Sequence, residues 1–206
     1  MENVALRPAK ERDAQEMLAI YGDYVRNTVV TSEYDVPAEE EFQTRICSIL
    51  KRTPWLVCEV DGQIAGYAYA SPHRPRAAYQ WSVETSIYVS PAYQGRRVAT
   101  ALYTALFALL KELGYFNIHV GITTRNPASI AFHKAMGFVK TGEFHNAMYK
   151  FGAWEDVLWM GRTLRDFSEQ PAPLKLFGTR KDSELYRRIL QEAAALIKKG
   201  TAHGEQ

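Results

Sequence analysis

Between residues 97 and 113 the chain is almost wholly apolar, with Leu102, Leu106, Leu109 and Leu113 at helical spacing and Gly114 directly behind them. The spacing predicts an α-helix stopped by its glycine. A helix with so little polar surface has no side to turn to water, so the fold must bury it. With 206 residues the chain can build one well-packed domain around that helix and is short of two ordinary ones.

The flanking segments alternate between the two periodicities. Residues 4–6 read as a short strand, and Asp13 with Glu16 three residues later gives a capping-box start to a helix reaching about Arg26. Pro37, followed by Glu39, Glu40 and Glu41, marks a second helix to about Lys51. Strands at 55–60 and 63–70 flank Asp61-Gly62, a two-residue hairpin turn. A loop at 71–78 leads to a strand at 81–89, closed by Ser90-Pro91. Beyond the buried helix come a strand at 118–122, a helix at 127–136 ended by Gly137, and two closing strands at 138–144 and 156–160. The expected class is mixed α/β, with one mostly antiparallel central sheet flanked by helices, in a domain covering 1–165. Residues 166–206 read as a connector carrying Pro171, Pro173 and Gly178, plus a C-terminal amphipathic helix. Asp182 is expected to cap that helix, Leu185, Ile189, Ala193, Leu196 and Ile197 to form its apolar stripe, and Lys198, Lys199 and Gly200 to end it. It is expected to dock on the domain or on a second subunit.

Composition removes several function classes. The 25 Lys and Arg are interspersed with 23 Asp and Glu, without the basic stripe of a nucleic-acid binder, so nucleic acid is set aside as a partner. Cys47 and Cys58 make no disulfide framework, and no Cys or His pair has metal-site spacing, so no metal is expected. No apolar run approaches bilayer length and the polar N-terminus holds no signal-peptide core, so no membrane association and a cytoplasmic location are expected.

Chemistry concentrates in Gln94-Gly95-Arg96-Arg97-Val98-Ala99, which joins a strand end to the start of the buried helix. Backbone N–H groups can gather around an anion there. Two arginines at a helix N-terminus oppose the dipole by a few tenths of a kcal/mol unless a negative ligand lies between them. A bound phosphate is one reading, and two arginines extended into water is the other.

The hexapeptide resembles, with one fault, the Q-x-x-G-x-G/A pyrophosphate loop of the GNAT superfamily. Three further blocks resemble the phosphinothricin (glufosinate) acetyltransferase family: Trp81-Ser82-Val83-Glu84-Thr85-Ser86-Ile87-Tyr88-Val89; Asn126-Pro127-Ala128-Ser129-Ile130 with His133 and Gly137-Phe138; and Lys150-Phe151-Gly152-Ala153-Trp154. The resemblance spans about residues 4–164 and implies the GNAT acyl-CoA N-acyltransferase fold, here with an extra C-terminal helix. It implies acetyl-CoA in a wedge between two splayed strands, residues 86–89 and 118–122, with Ser86, Ile87 and Val89 along the pantetheine arm. Gln94, Gly95, Arg96, Arg97, Val98 and Ala99 would take the pyrophosphate, and Asn126 and Ser129 would meet the pantetheine farther in. Glu84 matches the family's proposed general base, although by pattern alone it reads as a solvent-facing strand carboxylate. His133 stands where the family carries histidine, with the roles of acid and base both open. Arg74, Arg76 and Tyr79 lie at or beside the positions that meet the acceptor, and Lys150 and Trp154 would rim the same pocket in a homodimer.

Three positions depart from the family pattern. Arg97 replaces a glycine, His73 a frequent tryptophan, and Met148 a glycine two residues before Lys150. The expectation is an N-acetyltransferase for the amine of a small molecule, an amino acid or an analogue such as phosphinothricin or methionine sulfoximine. The alternative is a catalytically silent acyl-CoA-binding regulatory module.

Overall fold

The computed structural model describes residues 2–168 and 170–198. Its strands are β1 (Val4–Pro8), β2 (Trp55–Val60), β3 (Gln63–Pro72), β4 (Ser82–Val89), β5 (Asn117–Thr123), β6 (Val139–Lys150) and β7 (Ala153–Thr163). Its helices are α1 (Ala14–Asn27), α2 (Glu39–Leu50), α3 (Val98–Leu113), α4 (Pro127–Ala135) and α5 (Glu184–Ala194). The strands make one seven-stranded sheet in the order β1-β2-β3-β4-β5-β7-β6. Every neighbouring pair is antiparallel except β4 and β5, which run parallel.

The all-apolar helix lies where its composition requires. On α3, Ala101, Leu102, Ala105, Leu106, Leu109 and Leu110 are wholly buried. One side meets the sheet, and the other is covered by α5 through Tyr186, Leu190 and Ala193. Burying each such leucine contributes about 1.5–3 kcal/mol. The opposite face of the sheet packs under α1 and α2, where Met17, Val25 and Ile46 meet Trp55, Val57 and Tyr67. The β2–β3 turn has Asp61 at φ 49° and Gly62 at φ 84°, two positive values that match the twist of a tight hairpin.

Several expectations need correction. Asp13 does not open a capping box with Glu16. Its carboxylate accepts the Lys10 amide (2.7 Å) and is gripped by Arg7 of β1 (2.6 and 3.1 Å), while Glu16 accepts the amide of Ile64 (3.0 Å). Arg7 and the Lys10 amide claim one carboxylate of the expected motif, and the distant Ile64 amide claims the other. α2 begins at Glu39 behind Ala38, two residues past Pro37. β6 and β7 run on to a turn at Phe151-Gly152, and a register shift between Phe144 and Met148 breaks the alternation that would have marked β6 as one strand. α5 is capped by Ser183, whose Oγ accepts the Tyr186 amide (3.3 Å), and not by Asp182. Its buried face holds Tyr186, Leu190 and Ala193, followed by Ile197, whereas Leu185 and Leu196 are exposed. The stripe is rotated because the Tyr186 ring stacks on Phe177 (centroids 5.7 Å apart) and takes the inner position. The expected stops Lys199 and Gly200 lie outside the described residues. α5 docks on α3 and β1 of its own chain.

Candidate active site

β4 and β5 are paired over three rungs only, Ser82–Asn117, Val83–Ile118 and Glu84–His119. Beyond Glu84, β4 stays with β3 and β5 stays with β7, so the two strands diverge and their facing edges open into a wedge. The cavity inside it, about 70 Å³, is lined by Thr85, Ser86, Ile87, Thr123, Asn126 and Ser129, with Tyr103 and His133 at its α3 side. Thr123 Oγ1 is buried without a hydrogen-bond partner among the described residues. Such a group costs about 1–3 kcal/mol unless a ligand satisfies it.

At the end of β4 the chain turns into α3. Gly95 (φ 75°) and Arg97 (φ 65°, ψ 17°) are both left-handed. The turn leads into α3, whose first amides have no carbonyl behind them. Arg97 is exposed. Arg96 is turned away: its guanidinium meets Glu2 (2.7 Å) and the Lys198 carbonyl (3.2 Å), and its own carbonyl accepts the Lys198 amide (3.0 Å). Of the two arginines, only Arg97 leaves its charge outward. Asn126 caps α4, its Oδ1 accepting the Ser129 amide (3.1 Å).

Side chains alternate along β4, so Glu84 and Ser86 face away from α3 while Val83 and Thr85 pack toward it. Glu84 is partly exposed, and its Oε1 lies 2.9 Å from His73 Nδ1. The His73 ring stacks on His119 (4.4 Å between centroids) and meets the edges of Trp159 and Tyr79. Burial, and then the charge of His73, hold the His119 pKa below its usual value. Arg74, Arg76 and Tyr79 are exposed and line, with His73 and Arg52, a depression beside this cluster.

His133 occupies the other face. It is 2 % exposed, and its Nδ1 lies 2.8 Å from the Ser129 carbonyl. A carbonyl only accepts, so Nδ1 carries the proton and Nε2 presents its lone pair to Tyr103 Oη at 3.1 Å. Burial lowers the His133 pKa, partly offset by the Ser129 carbonyl, and keeps the ring neutral near pH 7. Tyr103 Oη also lies 3.3 Å from Thr85 Oγ1, so its single proton is shared between two alternative acceptors, and burial pushes its pKa up, so it stays a phenol. Sequence reasoning missed Tyr103, which lies inside the apolar helix pattern and reads there as core. His119 and Arg52 were missed as well, because only the register and the loop path bring them to Glu84 and the arginines.

The structure does not put Lys150 on a pocket rim. It is 1 % exposed, and its Nζ donates to the Thr31 carbonyl (2.8 Å), fastening the end of β6 to the loop after α1. Burial lowers its pKa against the opposing pull of Glu33. Trp154 is exposed beside Tyr149. Glu143, His145 and Asp156 gather on the β6–β7 hairpin with ligand atoms within 4.8 Å of one another. Each already has a protein partner, through Lys140–Glu143 (2.6 Å) and His145–Asp156 (3.1 Å).

A family model described as an acetyltransferase (GNAT) domain matches residues 6–159. The phosphinothricin N-acetyltransferase of Streptomyces viridochromogenes is 35 % identical over 170 residues, covering 82 % of this chain and 91 % of that protein. The L-methionine sulfoximine/L-methionine sulfone acetyltransferase of Salmonella typhimurium is 29 % identical over 158 residues, covering 76 % of this chain and 92 % of that protein. The crystal structure of a phosphinothricin acetyltransferase from Sinorhizobium meliloti in complex with AcCoA superposes with a TM-score of 0.79 at 35 % identity, covering 82 % of this chain and 93 % of that one.

Proposed function

The chain belongs to the GNAT acetyltransferase family and is an acetyl-CoA-dependent N-acetyltransferase; from that premise we propose that its acceptor is the amine of an amino acid or analogue such as phosphinothricin or methionine sulfoximine, and that Glu84 is the general base. The observation that carries this reading is the place of Glu84, on the last rung before β4 and β5 part.

The wedge suits a chain-like, amide-bearing ligand, because two strand edges offer free backbone groups and Thr123 Oγ1 awaits a partner. Thr85, Ser86, Ile87, Asn126 and Ser129 would line the pantetheine arm, while the amides from Gly95 to Ala99 and the Arg97 guanidinium would receive the pyrophosphate. Acetyl-CoA supplies a thioester whose carbonyl carbon the amine attacks, forming the C–N bond as the C–S bond breaks, and CoA leaves as a thiolate that takes up a proton to become the free thiol. An amine is mostly protonated at neutral pH, so a base must take its proton first, and Glu84 does so. On the opposite face, Tyr103 holds a proton at Oη and is backed by His133 Nε2, so His133 acts through the phenol. The arginines Arg74 and Arg76, with Tyr79, would grip a carboxylate or phosphinate of the acceptor in two-point fashion.

Four wider assignments belong to the same reading. Residues 1–165 form the catalytic domain and 166–206 an added segment. The exposed Phe144, Tyr149, Phe151 and Trp154 near the β6–β7 turn are covered by a second copy in a homodimer. The near-balance of charges supports a small-molecule partner and no nucleic acid. No helix among the described residues is long and apolar enough to cross a membrane, and we place the enzyme in the cytoplasm.

The test is free-thiol release from acetyl-CoA with a panel of amino acids that includes phosphinothricin and methionine sulfoximine. Turnover with a panel member is expected, as is a kcat loss of about 10²–10⁴ in Glu84→Gln with the KM for acetyl-CoA unchanged. An unaltered rate in that variant removes Glu84 from the base role. Silence of the whole panel with acetyl-CoA bound overturns the acceptor class.

A further inference from the structure

We propose that His73 is a positioning residue of the acetyl-transfer centre, holding Glu84 by Oε1 so that Oε2 is left to take the proton of the acceptor amine. The inference rests on Glu84 being the base. What carries it is the contact itself: His73 Nδ1 lies 2.9 Å from Glu84 Oε1, with the two side chains 14 % and 36 % exposed. A strand glutamate this open to solvent would otherwise sample several rotamers, and each unproductive one subtracts from the rate.

The imidazole is itself held from three sides. It stacks on His119 of β5 at 4.4 Å and 29°, and the rings of Trp159 on β7 and Tyr79 in the loop before β4 meet it at 5.9 and 6.0 Å. His73 directly follows the last β3 residue, Pro72, in a ladder that sets Ser71 opposite Glu84, so the sheet fixes the distance between imidazole and carboxylate. A side chain locked in this way can orient its neighbour.

The cluster also ties turnover to the charge of this ring. The titratable and charged groups around His73 are Glu84 on β4, His119 on β5, and Arg74, Arg76, Tyr79 and Arg52 around the depression. Burial, and then repulsion from His73, disfavour a charge on His119. A charged His73 holds Glu84 in an ion pair and weakens it as a base. Turnover is therefore lower in the form with a charged His73.

The experiment compares His73→Phe, His73→Asn and Glu84→Gln with the wild type in the free-thiol assay between about pH 5 and pH 9. Asparagine keeps an N–H donor close to the Nδ1 position and never becomes charged. His73→Phe is expected to lower kcat about tenfold with the KM for acetyl-CoA unchanged. His73→Asn is expected to recover most of kcat and to move the acid limb to lower pH. Wild-type kcat and acid limb in His73→Phe, with Glu84→Gln inactive, overturns the role of His73 and leaves that of Glu84 standing. Wild-type turnover in Glu84→Gln overturns both. If His73→Phe fails to fold by circular dichroism, His73→Asn decides alone, and an unmoved acid limb in it overturns the proposal.

Discussion

Arg97 offers a direct measurement of what the turn into α3 costs and what it does. Its φ of 65° and ψ of 17° are left-handed values at which an ordinary side chain is strained by about 1–2 kcal/mol. Its charge also faces the positive end of α3, an opposition of about 0.3–1 kcal/mol without an anion. Arg97→Gly relieves both, while the extra freedom of glycine in the unfolded chain returns about 0.5–1 kcal/mol. The variant should therefore be more stable than the wild type by about 1 kcal/mol without ligand, a melting point higher by about 2–4 °C for a chain of this size. Its affinity should move the other way. Losing a guanidinium from the pyrophosphate should weaken acetyl-CoA binding about tenfold at low ionic strength, and the gap should close as salt rises. Differential scanning calorimetry of the ligand-free protein and titration with acetyl-CoA at two salt concentrations read the two effects separately. A melting point below that of the wild type would refute the strain argument, and equal affinity at low salt would refute the role of the charge.

The remaining predictions concern neighbouring parts of the molecule. His133 has a depressed pKa in the folded protein, so as pH falls through about 6.5 the unfolded chain takes up its proton first and stability is lost; urea unfolding should show a slope between about pH 7 and pH 5 that is reduced in His133→Gln. Gly66→Ala would set a Cβ 2.8 Å from the Tyr88 carbonyl oxygen and 3.1 Å from Val89 Cα, pressing on the backbone of a wedge wall. It should destabilise by about 1–3 kcal/mol and raise the KM for acetyl-CoA, as read by chemical denaturation and steady-state kinetics. Arg96 is engaged by Glu2 and Lys198, so Arg96→Ala should lower the melting point yet leave the salt dependence of acetyl-CoA binding as it is in the wild type.

What could be read from sequence follows the range of the interaction involved. α3 was legible because a helix apolar all round has only one place to go, and the β2–β3 hairpin because Asp61-Gly62 is a complete local instruction. Of β6 only the half up to Phe144 was, since the shift between Phe144 and Met148 breaks the period of two that identifies a strand. The face of α5 was misjudged because Leu185 and Leu196 look like core, while Tyr186 is the side chain that reaches Phe177. Asp13 was taken as a cap because Arg7, the partner that claims it, lies on another element. In the site, motif resemblance pointed to Glu84 and His133, but the residues beside them stayed hidden. Tyr103 looked like packing, and His119 reaches Glu84 only through a three-rung parallel pairing that no local pattern encodes.

That short pairing is also what divides the labour of the site. Because β4 and β5 separate just past Glu84, a ligand entering the wedge is reached from both faces of the sheet. On one face stand Glu84, His73 and the loop of Arg74 and Arg76, open enough for an acceptor to arrive from water. On the other stand Tyr103 and His133, closed off from solvent by the rings of Phe107, Phe132 and Phe138. α3 links the closed face to the pyrophosphate loop, since Val98 begins the helix and Tyr103 sits in its second turn. α5 is seated on that helix, and Lys198 holds the loop itself through the backbone of Arg96. The segment beyond the matched family region thus bears on α3 and the turn into it, while His73 bears on Glu84 at the opposite face. The two departures can be varied separately.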